Sequence, residues 1–298
     1  MLRGLARRRG VSDARPLIFL HIPKTSGIAV AHAAVEATGP AEVFFGFDRA
    51  FFGAFSDWNS IAAENRAYIH HSAATLPPAA RVVRAHMSLS TLRAAYPTGR
   101  FMTVLREPIS RLLSHYVFWR GFSPEQHQGW GGWGTLSALA TLPLADFLAD
   151  PRIACQIDNV ATRLLLWPHA LIPDDGPIDP AHDAALLAAA LARLRALDFA
   201  DARENPDFSA NLGAWLGATP VLTPRNVSPP LPRALRFDLD QAMTAPVQSK
   251  LTTLCRLDAV LWQETLVRQA PALDAAQFRR QIVQRGLQRA GNLLRGIG

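Results

Sequence analysis

A turn of basic and hydroxyl side chains, Lys24, Thr25 and Ser26, follows an apolar run at residues 17–22 and precedes an alanine-rich segment at 28–37. An apolar run of this length, bounded by proline and glycine, predicts a buried strand of a parallel sheet, and the alanine-rich segment predicts a helix. Backbone N–H groups at a helix N-terminus lack intrahelical acceptors and carry partial positive charge, so they bind phosphate or sulfate groups. Lys24 would add a full charge and the two hydroxyls further donors.

His86 ends a second predicted strand, residues 81–86, and a helix is predicted from Ser88 to Ala95. Ligands of open α/β sheets collect at the carboxyl ends of the strands, so we expect His86 to lie near Lys24. An imidazole in that place could act as a general base. A structural histidine whose nitrogens are satisfied by hydrogen bonds is the alternative.

A third stretch predicts another anion site. Residues 101–105 form a predicted buried strand, Arg106 ends it, and Pro108 stands where proline is tolerated, in the first turn of a helix. That helix places Ser110 and Ser114 one turn apart on one face. The Arg106 guanidinium could form paired hydrogen bonds to a phosphate.

Two of these stretches resemble one known family. The segment from Pro23 to Gly27 is not a Walker A loop, because its lysine precedes its only glycine, and this disfavours a nucleoside-triphosphate hydrolase. The segment resembles the 5'-phosphosulfate loop of carbohydrate sulfotransferases that use 3'-phosphoadenosine 5'-phosphosulfate (PAPS), a group that includes the heparan sulfate 2-O-sulfotransferases and bacterial relatives. The family's 3'-phosphate motif is similar to Arg106, Glu107, Pro108, Arg111, Ser114 and Tyr116, and the resemblance extends from about Leu17 to Trp262.

The resemblance implies an α/β fold, a P-loop-like parallel sheet flanked by helices in a single sulfotransferase domain over residues 16–298. It implies PAPS as donor, 3'-phosphoadenosine 5'-phosphate (PAP) as product, no metal, and a hydroxyl-bearing acceptor such as a glycan or glycolipid. His86 would be the base, and Lys24 would act in both catalysis and donor binding. The other implied donor-binding residues are Thr25, Ser26, Gly27, Ile28, Arg106 and Ser114.

The chain departs from the family pattern at three positions. Ile28 and Ala29 stand where the family usually has hydroxyl residues, and Arg84 stands where it has a first histidine two residues before the position of His86. These departures favour the alternative of a non-catalytic protein that keeps the fold and binds nucleotide or glycan. A kinase of related fold is disfavoured by the absence of the Walker lysine.

Weaker candidates lie elsewhere. Arg163 could bind an acidic acceptor or pair with Asp158, and Arg225 and Asn226 are candidates for a loop that faces the nucleotide. Arg111 could bind phosphate or brace its helix through Glu107. Three tryptophans in or beside the glycine-rich residues 121–134 could stack on sugar rings or simply pack as a loop or lid: Trp119, Trp130 and Trp133.

Simpler patterns predict the remaining elements. Residues 42–55 are expected to form a loop or short strand, residues 57–68 could be helical, and 198–204 is the predicted last strand. Helices are predicted at 182–197, 207–216, 247–262 and 275–294. The arginines of the last helix are expected to form a solvated face.

Composition bounds the class of protein. The 298 residues are 49% hydrophobic with a formal net charge of +7, which favours encounters with anions, but no nucleic-acid motif accompanies the charge. Two cysteines in no metal-like spacing indicate a reducing cytoplasm. No run approaches the length of a transmembrane helix. Residues 1–15 are expected to be a flexible basic arm, with contact to the inner membrane surface as the minority alternative, and the oligomeric state is left open.

Overall fold

Five parallel strands form one sheet, with the strand that precedes the Lys24 turn at its centre. The computed structural model describes residues 15–39, 42–222 and 231–297. The strands are β1 (Leu17–Leu20), β2 (Val43–Phe47), β3 (Val82–His86), β4 (Arg100–Leu105) and β5 (Phe199–Ala202), in the spatial order β2-β3-β1-β4-β5. This arrangement confirms an α/β fold with an all-parallel sheet and is compatible with a P-loop-like fold.

The register of the sheet brings the carboxyl ends of β1, β3 and β4 to the same level. Leu20 of β1 is level with Ala85 of β3 and with Thr103 of β4. All three strands run in the same direction, so the residues that follow them emerge at one edge of the sheet. Lys24, His86 and Arg106 therefore leave the sheet at the same edge, where ligands of such sheets bind.

Helices cover both faces of the sheet. Their bounds are α1 (Gly27–Thr38), α2 (Arg49–Phe52), α3 (Ala63–Arg66), α4 (Leu89–Ala95), α5 (Pro108–Arg120), α6 (Pro124–Gly129), α7 (Gly131–Ser137), α8 (Leu144–Ala149), α9 (Ala154–Ile157), α10 (Val160–Leu166), α11 (Asp183–Arg195), α12 (Phe208–Leu216), α13 (Leu239–Ala242), α14 (Ala245–Leu254), α15 (Arg256–Gln269) and α16 (Ala275–Arg295). Alternate side chains of β1 enter opposite cores: Ile18 and Leu20 pack with α4, α10, α11 and α15, whereas Leu17 and Phe19 pack with α1 and α12. Burial on both faces explains why β1 is an unbroken apolar run.

Several predicted elements are confirmed with small shifts of their ends. These are the strands at 101–105 and 198–204 and the helices at 28–37, 88–95, 182–197, 207–216 and 275–294. Residues 247–262 are helical as predicted, but they belong to two helices, α14 and α15, which meet at Cys255.

Other sequence predictions need correction. Residues 42–55 contain the edge strand β2 and the short helix α2, and within 57–68 only Ala63–Arg66 is α-helical, beside a single turn of 3-10 helix at Trp58–Ser60. The glycine-rich residues 121–134 contain helix α6 and the start of α7 in place of a long loop, with Ser123 and Gln126 forming a capping box at the start of α6. Residues 1–14 of the predicted arm, together with Arg225 and Asn226, lie outside the described residues.

Within the described ranges, no helix combines the length and apolar character needed to cross a bilayer.

Candidate functional site

One cavity of about 610 Å³ opens at the carboxyl edge of the sheet. It is formed by the turn after β1, the ends of β3 and β4, and side chains from α5, α7 and α16. Seven of the eight residues implied by the resemblance line it: Lys24, Ser26, Gly27, Ile28, His86, Arg106 and Ser114. The two predicted anion sites and the predicted base thus share one space.

The eighth residue, Thr25, has a different place. Its side chain is fully buried, and its hydroxyl donates to the Ile22 carbonyl over 2.9 Å. It does not line the cavity. This hydroxyl braces the turn from inside, so the side-chain donors of the turn reduce to Lys24 and Ser26.

The turn after β1 is held in a demanding backbone conformation. Lys24 and Ser26 both adopt left-handed backbone angles, with φ of 71° and 70°. Gly27 packs directly on the His21 ring, since a Cβ atom built on it would lie 1.9 Å from Nε2 of His21. Non-glycine residues in this backbone region cost free energy and persist only where the surroundings enforce them, which is common in ligand-binding turns. The packing of Gly27 on the His21 ring and the hydrogen bond of Thr25 hold the turn in this conformation.

Lys24 lies among other cations. Its Nζ is 3.8 Å from the centroid of the Phe118 ring, in cation–π contact. Burial lowers the pKa of Lys24 to about 8, with smaller contributions from the positive charges of Arg106, Arg289 and Arg203. An anion placed here would stabilise the charged form.

Arg106 links the two predicted anion sites. Its Nη1 donates to the Lys24 carbonyl over 3.1 Å, and its Nε lies 3.9 Å from Oε1 of Glu204. Burial lowers the pKa of Arg106 to about 10, and Arg203 adds to the effect. The guanidinium therefore fixes the turn that carries Lys24 and still lines the cavity.

His86 has a defined tautomer. Its Nδ1 lies 2.6 Å from the His21 carbonyl oxygen. A carbonyl can only accept, so Nδ1 carries the hydrogen and, in the neutral ring, Nε2 keeps a free lone pair. Burial lowers the pKa of His86 to about 3, and the charges of Arg84 and Lys24 add to the effect. The neutral ring at the cavity wall has the form that a general base requires.

An aromatic wall surrounds His86. We use this name for Phe45, Phe47, Phe51, Trp130 and Trp133, all of which line the cavity. The centroids of the three phenylalanine rings lie 5.5, 5.6 and 5.5 Å from that of His86, and the tryptophans continue the wall at 5.7 Å from Phe47 and 5.9 Å from Phe51. The predicted stacking surface of Trp130 and Trp133 is therefore part of the cavity, carried by α7 and the residue before it.

Several cavity residues were missed by the sequence analysis, and three of them act directly on His86 or Lys24. His21 supplies the carbonyl that orients His86, while Arg203 and Arg289 add positive charge beside Lys24. Arg203 directly follows β5, so the rule that ligands gather at the carboxyl ends of strands could have identified it. Arg289 lies on α16, whose arginines were expected to be solvated. No local pattern distinguishes Arg289, because its position depends on how α16 packs along α5.

Two of the weaker arginine candidates serve the fold. Arg163 forms a buried ion pair with Asp158, with Nη2 and Oδ2 2.8 Å apart, and donates to the carbonyls of Pro173 and Gly176. Arg111 is a buried residue of α5, and its Nη2 donates to the Gln156 carbonyl over 3.2 Å. Neither lines the cavity.

Among the described residues, no group of three or more histidine, cysteine, aspartate or glutamate side chains is placed to hold a metal ion. A scan against models of known protein families finds none that matches this chain, and a search of curated proteins finds no matching relative.

Proposed function

We propose that this protein is a sulfotransferase that moves a sulfuryl group from PAPS to a hydroxyl of an acceptor. The observation that carries the proposal is the meeting of the Lys24 turn, Arg106 with Ser114, and His86 around one cavity. A nucleotide with phosphate groups at both its 3' and 5' ends needs two cationic sites that face each other. The acceptor needs a base beside the site for the 5' end, because the sulfuryl group is attached there.

The charges of the cavity fit such a donor. Of the described residues that line it, none is acidic, whereas five bring cationic groups: Lys24, Arg84, Arg106, Arg203 and Arg289. Glu204 is the nearest carboxylate to Arg106, and burial raises the pKa of this carboxyl. PAPS would supply the sulfuryl group together with a phosphate leaving group. Basic side chains that lower one another's pKa are stabilised when an anion binds among them.

Each residue has a role that follows from its geometry. Nε2 of His86 would accept the proton of the acceptor hydroxyl as that oxygen attacks sulfur. Lys24, Ser26 and the backbone N–H groups at the start of α1 would stabilise the charge that develops on the leaving phosphate. Arg106 and Ser114 would hold the 3'-phosphate. Positioning and preorganised charge would supply most of the rate acceleration.

Binding is tested first, by thermal unfolding of the full-length protein with PAP, ATP or ADP. We expect PAP to raise the melting temperature more than either of the other nucleotides, because only PAP carries the 3'-phosphate. Transfer of labelled sulfate from PAPS to a panel of hydroxyl acceptors follows. Equal stabilisation by ADP and PAP would contradict the assignment of Arg106 and Ser114, and PAP binding without transfer to any acceptor would favour a non-catalytic binding protein.

The variant His86→Ala tests the chemistry. We expect turnover to fall by roughly 10² to 10⁴, the usual contribution of a general base, while the affinity for PAP measured by calorimetry stays close to that of the parent protein. His70→Ala is the matched control, since His70 hydrogen-bonds Thr75 outside the cavity. Near-normal turnover of His86→Ala would remove this residue from the mechanism.

A further inference from the structure

The cavity has two chemically different halves. The four cations of the donor half, Lys24, Arg106, Arg203 and Arg289, lie around the turn after β1. The half beyond His86 is the aromatic wall. Helices α6 and α7 also bring Gln126 and Ser137 to the cavity lining, where their side chains already hydrogen-bond to Ser123 and to the Gly134 carbonyl. This second half is where the acceptor would have to lie, and its composition is informative about the acceptor class.

A carbohydrate is a poor chemical match for the aromatic wall. Every sugar ring carries several hydroxyl groups, and each one that is buried without a hydrogen-bond partner costs roughly 1–3 kcal/mol. No aspartate or glutamate is found among the described residues that line the cavity, so the carboxylates that would accept hydrogens from sugar hydroxyls are missing there. A flat apolar ring would bury its faces against the wall without that cost.

One cation stands alone in this half. The Arg84 guanidinium lies 4.4 Å from the centroid of the Phe45 ring, whose edge-on neighbour is His86. No carboxylate of a described residue pairs with Arg84, although the side chain is partly buried, and burial lowers its pKa. A partly buried guanidinium that has no acidic partner is prepared for an anionic group of a ligand.

Arg84 and His86 are two residues apart on β3, so they project from the same face of the sheet, with their Cα atoms about 7 Å apart. This separation suits a single ring that carries its hydroxyl and its anion at opposite ends. We propose that the acceptor is a planar hydroxylated aromatic acid whose ring lies on the aromatic wall, whose hydroxyl faces Nε2 of His86 and whose anionic group binds Arg84.

The inference rests on the proposed function and narrows its acceptor. In the transfer, the acceptor oxygen forms a bond to sulfur while the bond between sulfur and the bridging phosphate oxygen breaks. The electron pair of that broken bond leaves with PAP, and the acceptor proton moves to His86. A phenol has a pKa of about 10, as tyrosine does, so it releases its proton to a weak base more readily than an alkyl alcohol does. This agrees with the lowered pKa of His86.

The test uses the full-length protein, labelled PAPS and three acceptor probes: 4-hydroxybenzoate, its methyl ester, and an uncharged oligosaccharide that contains no uronic acid. We expect kcat/KM for 4-hydroxybenzoate to exceed the values for both other probes by at least tenfold. Arg84→Gln should abolish the preference of the acid over its ester, while its affinity for PAP stays close to that of the parent protein. Arg93→Gln, on the surface of α4 outside the cavity, is the matched control.

The outcomes separate the two proposals. Absence of PAP binding would overturn the proposed function itself. If PAP binds normally, any of three results would overturn this inference alone. These are preferred sulfation of the oligosaccharide, equal rates for the acid and its ester, and transfer to none of the probes. A preference for the acid that survives in Arg84→Gln would overturn the assignment of Arg84, and normal PAP affinity of that variant shows that its fold is intact.

Discussion

His86 and Lys24 need opposite protonation states for the proposed chemistry. His86 must be neutral to accept a proton, and burial with the nearby charges of Arg84 and Lys24 keeps its pKa at about 3. Lys24 must be charged to stabilise the leaving phosphate, and its pKa is about 8. The free protein therefore has both residues in their working states above about pH 4 and below about pH 7.

The pH dependence of kcat/KM for PAPS tests this pairing, because that ratio reports the ionisations of the free enzyme. We expect a plateau from about pH 5 to pH 7 and a decline above about pH 8, where Lys24 loses its proton. Lys24→Arg should move the decline to higher pH, since an arginine keeps its charge. A loss of activity centred near pH 6.5, the value for an ordinary histidine, would contradict the assigned state of His86.

The helices α5 and α16 are the elements on which the donor half depends. Gly286 of α16 faces Ser110 of α5 so closely that a Cβ atom there would lie 2.1 Å from the serine Oγ. Arg289 follows Gly286 by three residues, which places it nearly one turn further along the helix. The close approach of the two helices therefore sets the depth at which Arg289 enters the cavity.

Two glycine-to-alanine variants on α16 test this contact. Gly286→Ala should lower the free energy of unfolding in urea by roughly 1–3 kcal/mol, because the added methyl group overpacks the interface, and should also weaken PAP binding. Gly291→Ala is the matched control, since its Cβ would meet only ordinary contacts at 3.7 and 3.8 Å, and it should gain up to about 1 kcal/mol from helix propensity. Equal stability and PAP affinity of the two variants would contradict the role of this helix contact.

The sequence was informative wherever a feature is local. The apolar run of β1, Pro108 at the start of α5 and the histidine that ends β3 each carry their own signal, and the neighbouring residues Lys24, Arg106 and His86 line one cavity. Arg289 was missed because nothing in its flanking residues distinguishes a helix that packs against the site from one that faces solvent. The buried Thr25 hydroxyl likewise depends on the exact path of a left-handed turn. Helix α6 did carry a local signal, since Ser123, Pro124 and Gln126 form the pattern of a capped helix start.

Across the whole molecule, the donor half concentrates positive charge at a cost to stability. Lys24, Arg106 and Arg203 all have a pKa lowered first by burial, and neighbouring cations add to the effect in each case. A lysine whose pKa falls on folding destabilises the folded state while it is protonated. For Lys24 this penalty is fully present below about pH 8 and disappears as the pH rises toward its unfolded value.

Lys24→Met tests this cost against its proposed purpose. We expect the free energy of unfolding of the variant without PAP to be about 1 to 2 kcal/mol higher than that of the parent at pH 7. An apolar side chain of similar length removes the cost of the buried charge, and this gain is partly offset by the loss of the contact between Nζ and Phe118. The difference in stability should shrink between pH 8 and pH 10, where Lys24 of the parent loses its proton.

Saturating PAP should make the parent more stable than the variant at pH 7. A ligand at 100 times its Kd adds about 2.7 kcal/mol to the stability of the parent and much less to that of a variant that binds it weakly. A variant that is less stable than the parent without PAP, or that gains as much from PAP, would show that Lys24 is a structural residue and that the charge of the cavity serves something other than an anionic donor.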